Sequence, residues 1–199
     1  MKWSGILSAI LAVASFTAFG HAFGQTAPAA REGQLPFSIG GGISNFDVDW
    51  GKNRMYGIAI WGQWHPGSLL PRMLDGLALD IEARDIDYGR GNSLPSNFRQ
   101  DTAGGGPMYT WNRFRNFRPY GKGLIEFGSF DFRTSNPGYT HDTRALWAPG
   151  LGFQLRTFPH VWIRADYEYQ IWQQMLGKTP DPQGFTLGAT YDFRHVRLF

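Results

Sequence analysis

Beyond residue 36 the chain counts in twos, and that period limits its fold more than any other feature. From Val161 to Trp172, Val161, Ile163, Ala165, Tyr167, Tyr169 and Ile171 fall on one face. Trp162, Arg164, Asp166, Glu168, Gln170 and Trp172 fall on the other. Phe185 to Arg194 sets Phe185, Leu187, Ala189, Tyr191 and Phe193 against Thr186, Gly188, Thr190, Asp192 and Arg194. Leu77 to Arg84 sets Leu77, Leu79, Ile81 and Ala83 against Ala78, Asp80, Glu82 and Arg84. A strand points successive side chains to opposite faces, whereas an amphipathic helix returns to its apolar face after three or four residues. No window beyond residue 36 follows the helical period, so the chain is all-β.

Less regular segments complete the count. Phe37 to Trp50 alternates through Ile43 and resumes one step out of phase at Phe46, Val48 and Trp50, which predicts a bulge near Asn45. Tyr56, Ile58, Ile60 and Trp64 share a face, as do Leu151, Phe153 and Leu155. Phe98 to Trp111 and Pro119 to Phe132 alternate weakly, because Gly residues interrupt them. Together these make eight strands. Gly51-Lys52-Asn53 reads as a tight hairpin turn. The stretches around Gly89 to Asn97, Thr134 to Asp142 and Gln173 to Gln183 read as long polar loops, and Asn112 to Arg118 and Thr157 to His160 as short turns. After the first hairpin long and short connections alternate, as in a barrel with longer outer loops and short inner turns; the first pair breaks the rule, with a short outer turn and a longer inner connection from His65 to Asp75.

The first residues read as an address. Lys2 precedes an apolar run from Gly5 to Phe19, with small residues around Ala22 and Gly24, the layout of a signal peptide over residues 1–24. Residues 25–36 read as a flexible lead-in, leaving 37–199 for the barrel. Charged residues make up 18% of the chain, below the roughly 25% of soluble domains. A net charge of +3 is too small to argue for nucleic acid, and the absence of Cys excludes disulfides and thiolate chemistry.

Alternation alone leaves both facings open: a soluble barrel hides its apolar face, and a membrane barrel turns it to lipid. Small residues crowd the polar face, as the interior of eight strands requires. Trp50, Trp64, Trp111, Tyr120, Trp147 and Tyr191 lie near strand ends, where aromatic girdles sit. Both features favour an eight-stranded antiparallel up-and-down transmembrane β-barrel. Three stretches, FTLGATYDF (Phe185 to Phe193), RPYGKGLIEFGSF (Arg118 to Phe130) and VWIRADYEYQ (Val161 to Gln170), resemble the small outer-membrane barrels of the OmpA and opacity-porin type. The resemblance implies a bacterial outer-membrane location, contact with outer-membrane lipid, and recognition by the barrel-assembly machinery through the C-terminal strand. It implies an assembly signal at Phe193 or Phe199, and a bare barrel with no peptidoglycan-binding domain.

The candidate functional residues are charges on the polar face: Asp80, Glu82, Arg84, Arg164, Asp166, Glu168, Asp192 and Arg194. In a narrow interior they must pair, since an unpaired buried ion costs several kcal/mol. The expected result is a side-chain-filled interior; a gated lumen is the alternative. Asp47 and Asp49 read as further inward carboxylates, and Arg113 to Arg118 as a turn whose arginines reach for headgroups. Catalytic, metal and cofactor sites are not expected. No His-x-Ser pair of a lipid A deacylase exists, and His141-Asp142 reads as part of a solvated outer loop. Leu176-Gly177-Lys178-Thr179 lacks the leading Gly of a P-loop. The expected role is a monomeric structural or surface-contact protein presenting polar loops, with a narrow channel or lipid A chemistry as alternatives.

Overall fold

The two-residue period becomes backbone hydrogen bonding between antiparallel neighbours. The computed structural model describes residues 36–49, 54–66, 74–89, 98–132, 141–174, 177 and 179–193; the expected signal peptide, residues 25–35 of the expected lead-in, Trp50, Arg194 and Phe199 lie outside them. The strands are β1 (Phe37–Asp47), β2 (Arg54–Trp64), β3 (Leu77–Gly89), β4 (Phe98–Thr110), β5 (Phe117–Phe132), β6 (His141–Arg156), β7 (Val161–Tyr169), β8 (Ile171–Trp172) and β9 (Gln183–Asp192). The two-residue β8 continues β7 in the same register against β6. The break between them falls at Gln170, whose N–H donates to Pro182 O at 2.7 Å.

Each strand pairs with its neighbour from β1 to β7, β7 pairs with β9, and β9 returns to β1, closing an eight-stranded antiparallel barrel. Closure leaves no sheet edge, which is the condition for a β structure to stand in hydrocarbon. Outward positions carry Ile43, Ile58, Ile60, Ile125, Phe127, Leu151 and Leu187, each more than half exposed. At one end the outward positions are aromatic: Trp64, Trp111, Phe117 and Tyr191. At the other they turn polar, with Arg99 bridging Asp85 (2.8 Å) and Asp101 (3.0 Å) across β3 and β4. On β5 the apolar positions run from Phe117 to Phe127, roughly 33 Å along the strand and about 25 Å of height at a tilt near 40°. That height matches the apolar band of an outer-membrane barrel.

Several local expectations need correction. β1 pairs regularly with both β2 and β9 past Asn45, so it has no bulge there. Phe46 and Val48 are buried because the interior is apolar at this end, and the phase slip was one of chemistry. The bulge lies in β3, where the register shifts between Tyr56/Tyr88 and Gly57/Ile86 and leaves Asp87 extra. Asp47 shares the outward phase of Ile39 and Ile43, so it is not lumenal; it accepts a 3.2 Å hydrogen bond from the N–H of Asp49, whose φ is 57°. Tyr120 is 1% exposed and points inward rather than joining a girdle. His141 and Asp142 begin β6 instead of lying in a loop, and Asp142 pairs with Arg144 at 3.1 Å.

β5 and β6 are 16 residues each, against the 9–11 that cross a bilayer. Their surplus lies at the polar rim, where Ser129 and Asp131 of β5 stand between Asp101 and Arg99 of β4 and Thr143 and His141 of β6. Replacing Ile125, which is 67% exposed at mid-strand, with Arg is expected to destabilise the folded barrel by about 2–4 kcal/mol. Urea titration of the protein folded in lipid vesicles measures it.

Candidate functional site

The inward positions of β3, β5 and β7 face one another across a narrow lumen, and most are charged. Arg84 grips Glu168 with two guanidinium nitrogens, at 2.6 and 3.1 Å, and also bonds Glu82. The Lys122 ammonium lies 2.7 Å from Glu82, 2.7 Å from Glu168 and 3.4 Å from Asp166. Arg164 reaches Asp80 at 3.2 Å, Glu82 at 3.1 Å and Asp166 at 2.8 Å. Tyr120 donates its hydroxyl proton to Asp166 at 2.8 Å and accepts from Arg164 Nε at 2.8 Å. Aromatic faces cover the guanidinium planes, with Arg84 4.4 Å from the Phe46 ring centre and Arg164 4.5 Å from that of Trp61.

Space for these groups comes from glycine. A Cβ on Gly40 or Gly188 would collide with the Trp61 indole, which donates to Thr190 Oγ1 at 2.8 Å. A Cβ on Gly104 would stand 2.8 Å from Glu126 Cγ, and one on Gly152 2.6 Å from the Tyr120 hydroxyl. Eight strands leave an interior only as wide as its side chains, so a large residue requires a small one opposite.

Two further layers close the lumen. Towards the loops, Gln170 ties Glu168 (3.0 Å) to Gln100 (2.7 Å) and Trp172 (3.1 Å). Above it Phe46, Val48, Met55, Ile86, Phe130, Leu146 and Trp172 form a buried apolar cluster, with the Phe130 and Trp172 ring centres 4.4 Å apart. Towards the turns, Ser38 and Gln154 both bond Gln63, at 3.1 and 3.3 Å. There Asp192 pairs with Arg118 at 3.5 Å, apart from the main network, and Arg118 stacks 3.7 Å from the Trp162 ring centre.

Carboxylate oxygens of Glu82, Asp166 and Glu168 lie within 4.8 Å of one another, a spacing suited to a metal ion. Lys122 touches all three, so its ammonium occupies the place a cation would take. Asp80, Glu82, Arg84, Arg164, Asp166 and Glu168 therefore form one network. Lys122, Tyr120 and Glu126 were missed because β5 carries Gly121, Gly123 and Gly128 and inward Leu124 and Phe130, which blur its alternation. Lys122 and Glu126, four apart on one face, were the available signal. Glu126 is fully buried, and neither of its oxygens has a donor among the described residues.

The family described as outer membrane protein beta-barrel domain matches residues 11–193. Among solved structures, Neisserial surface protein A is similar with a TM-score of 0.60 at 15% identity, covering 81% of this chain and 99% of that one. The attachment invasion locus protein Ail of Yersinia pestis is similar at 0.51 and 22% identity, covering 80% and 98%. OprG of Pseudomonas aeruginosa is similar at 0.53 and 14%, covering 80% and 96%. No curated protein matches in sequence.

Two substitutions separate the roles of the buried charges. Arg164→Ala strands Asp80, leaves Asp166 to Lys122 and Tyr120 alone, and is expected to cost about 3–5 kcal/mol. Glu126→Leu removes a carboxylate without donors and is expected to stabilise by about 1–3 kcal/mol. Urea titrations at neutral pH read both, and the opposite signs are the check.

Proposed function

Because the chain belongs to the outer membrane protein beta-barrel domain family and resides in the bacterial outer membrane, we propose that it is a non-conducting structural or surface-contact protein presenting its loops outside the cell. The observation that carries this reading is the filled lumen. A layer of three cations and five carboxylates is stacked against an apolar cluster, and a hydrated ion crossing either would lose its water without compensation. β5 and β6 stay paired as far as Asp131 and His141, at the polar rim from which the loop between them departs.

Similar barrels support a surface role by their descriptions, one a surface protein and another an attachment invasion locus protein. The reading is not enzymatic: Asp142 is engaged by Arg144, and no His-x-Ser pair exists. The partners proposed are outer-membrane lipid and the barrel-assembly machinery, the latter through β9. Phe193 continues its outward face of Phe185, Leu187 and Tyr191 and is 39% exposed. The barrel is proposed to work as a monomer, since closure leaves no strand edge to pair with a second copy.

The test joins two measurements on the detergent-refolded protein. It is expected to run as a compact band that shifts on boiling, and to give no single-channel steps in planar bilayers. Stable unitary conductance from the compact form would overturn the reading.

A further inference from the structure

The outer wall of the barrel is not uniformly convex. A groove of about 620 Å³ crosses it between β3 and β7. Gly121 and Gly123, successive outward positions of β5, form its floor. Pro107 and Tyr109 stand on one side, Pro149 and Leu151 on the other. The groove exists because two side chains are missing where there is room for them. A Cβ on Gly121 would come no closer than 3.5 Å to Leu151, and one on Gly123 no closer than 3.7 Å to Trp147. Both are ordinary contacts, unlike the collisions that hold Gly40 and Gly188 small inside the barrel. Lumen packing therefore does not require these two glycines.

Charge stands at the foot of the groove. Tyr109 pairs with Gly121, and two residues closer to the turn Trp111 donates to Pro119 O at 2.9 Å. Gly121 is thus roughly 7 Å along the strand from the start of the β4–β5 turn. That turn carries Arg113 and Arg115, both exposed, and no acid among the described residues pairs with either. Trp111 precedes them and Phe114 lies between them, both exposed at the level where aromatic rings meet headgroups. In outer-membrane barrels the short turns face the periplasm, so this end meets the inner leaflet.

We propose that the groove and this turn form one docking site for an anionic glycerophospholipid. An acyl chain lies on Gly121 and Gly123 between the Tyr109 and Leu151 walls, and the phosphate meets Arg113 and Arg115. The apolar groove accounts for the chain, and the two arginines that no described acid pairs account for the anionic head. Dispersion against the Gly floor gives the chain contacts that a convex wall denies it. The site depends on the barrel standing in the membrane and not on whether the lumen conducts.

Native mass spectrometry of the detergent-extracted protein, given equal amounts of dioleoyl phosphatidylglycerol and dioleoyl phosphatidylcholine, tests this. Phosphatidylglycerol is expected to be retained on the order of 25-fold better, since two arginines near a headgroup each contribute about a factor of five. Arg113→Gln with Arg115→Gln, on an exposed turn, is expected to abolish that preference while the chain is still held. Gly123→Leu fills the groove and is expected to lower retention of both lipids, with the boiling-dependent gel shift confirming a folded barrel. Equal retention of the two lipids by the natural protein, unchanged retention in the folded Gly123→Leu form, or a preference that survives loss of both arginines would each overturn the site. Retention of lipid A in place of phosphatidylglycerol would overturn it too, by assigning the groove to the other leaflet.

Discussion

Every other feature of this molecule follows from closing a β-sheet on itself with eight strands. In hydrocarbon an unpaired amide or carbonyl has no water to turn to, so each strand needs a partner on both sides. The return of β9 to β1 provides the last pairing. Eight is a small number for a closed barrel, and the small number sets the interior problem. The lumen is wide enough for side chains and little else.

That width explains the chemistry inside. Polar residues fill the lumen because the apolar ones are needed outside, and bulky groups fit only opposite glycine, as Trp61 does over Gly40 and Gly188. Charges removed from water must find counter-charges at hydrogen-bond distance, or the burial costs more than the attraction returns. Lys122 shows the solution most directly, one ammonium set among Glu82, Asp166 and Glu168. The same crowding that forces pairing also fills the lumen. A filled lumen and the surface role proposed from it are thus two readings of one strand number.

The regular strands were legible because their two faces differ in chemistry along their whole length. Val161 to Tyr169 is such a strand, with Arg164, Asp166 and Glu168 inward and Ile163 outward. Legibility failed where a face changes chemistry partway. Phe46 and Val48 are inward like Ser38 and Ser44, but they lie in the apolar cluster near the loops, so they imitated a bulge. The true irregularity at Asp87 left no mark, because Asp85 and Asp87 stand on the polar rim, where alternation carries no signal. Tyr120 looked like an interface residue because a tyrosine near a strand end suits either side of the wall. Its hydroxyl decides the matter only when Arg164 and Asp166 are seen beside it.

Taken alone, the sequence determined the all-β class, the strand count and the facing of most side chains, because the two-residue period is a local property of extended backbone. It also determined that buried charges would have to pair. Only the tertiary structure decided which charges meet. Glu168 and Arg84 are 84 residues apart and Lys122 and Glu82 are 40 apart, and their contacts depend on the register and curvature of strands that no local pattern encodes. It alone brought Phe46, Phe130 and Trp172 together as the apolar layer, and set outward Gly121 and Gly123 between higher neighbours as a groove. Period is written residue by residue, whereas proximity across a barrel appears only when the last strand bonds to the first.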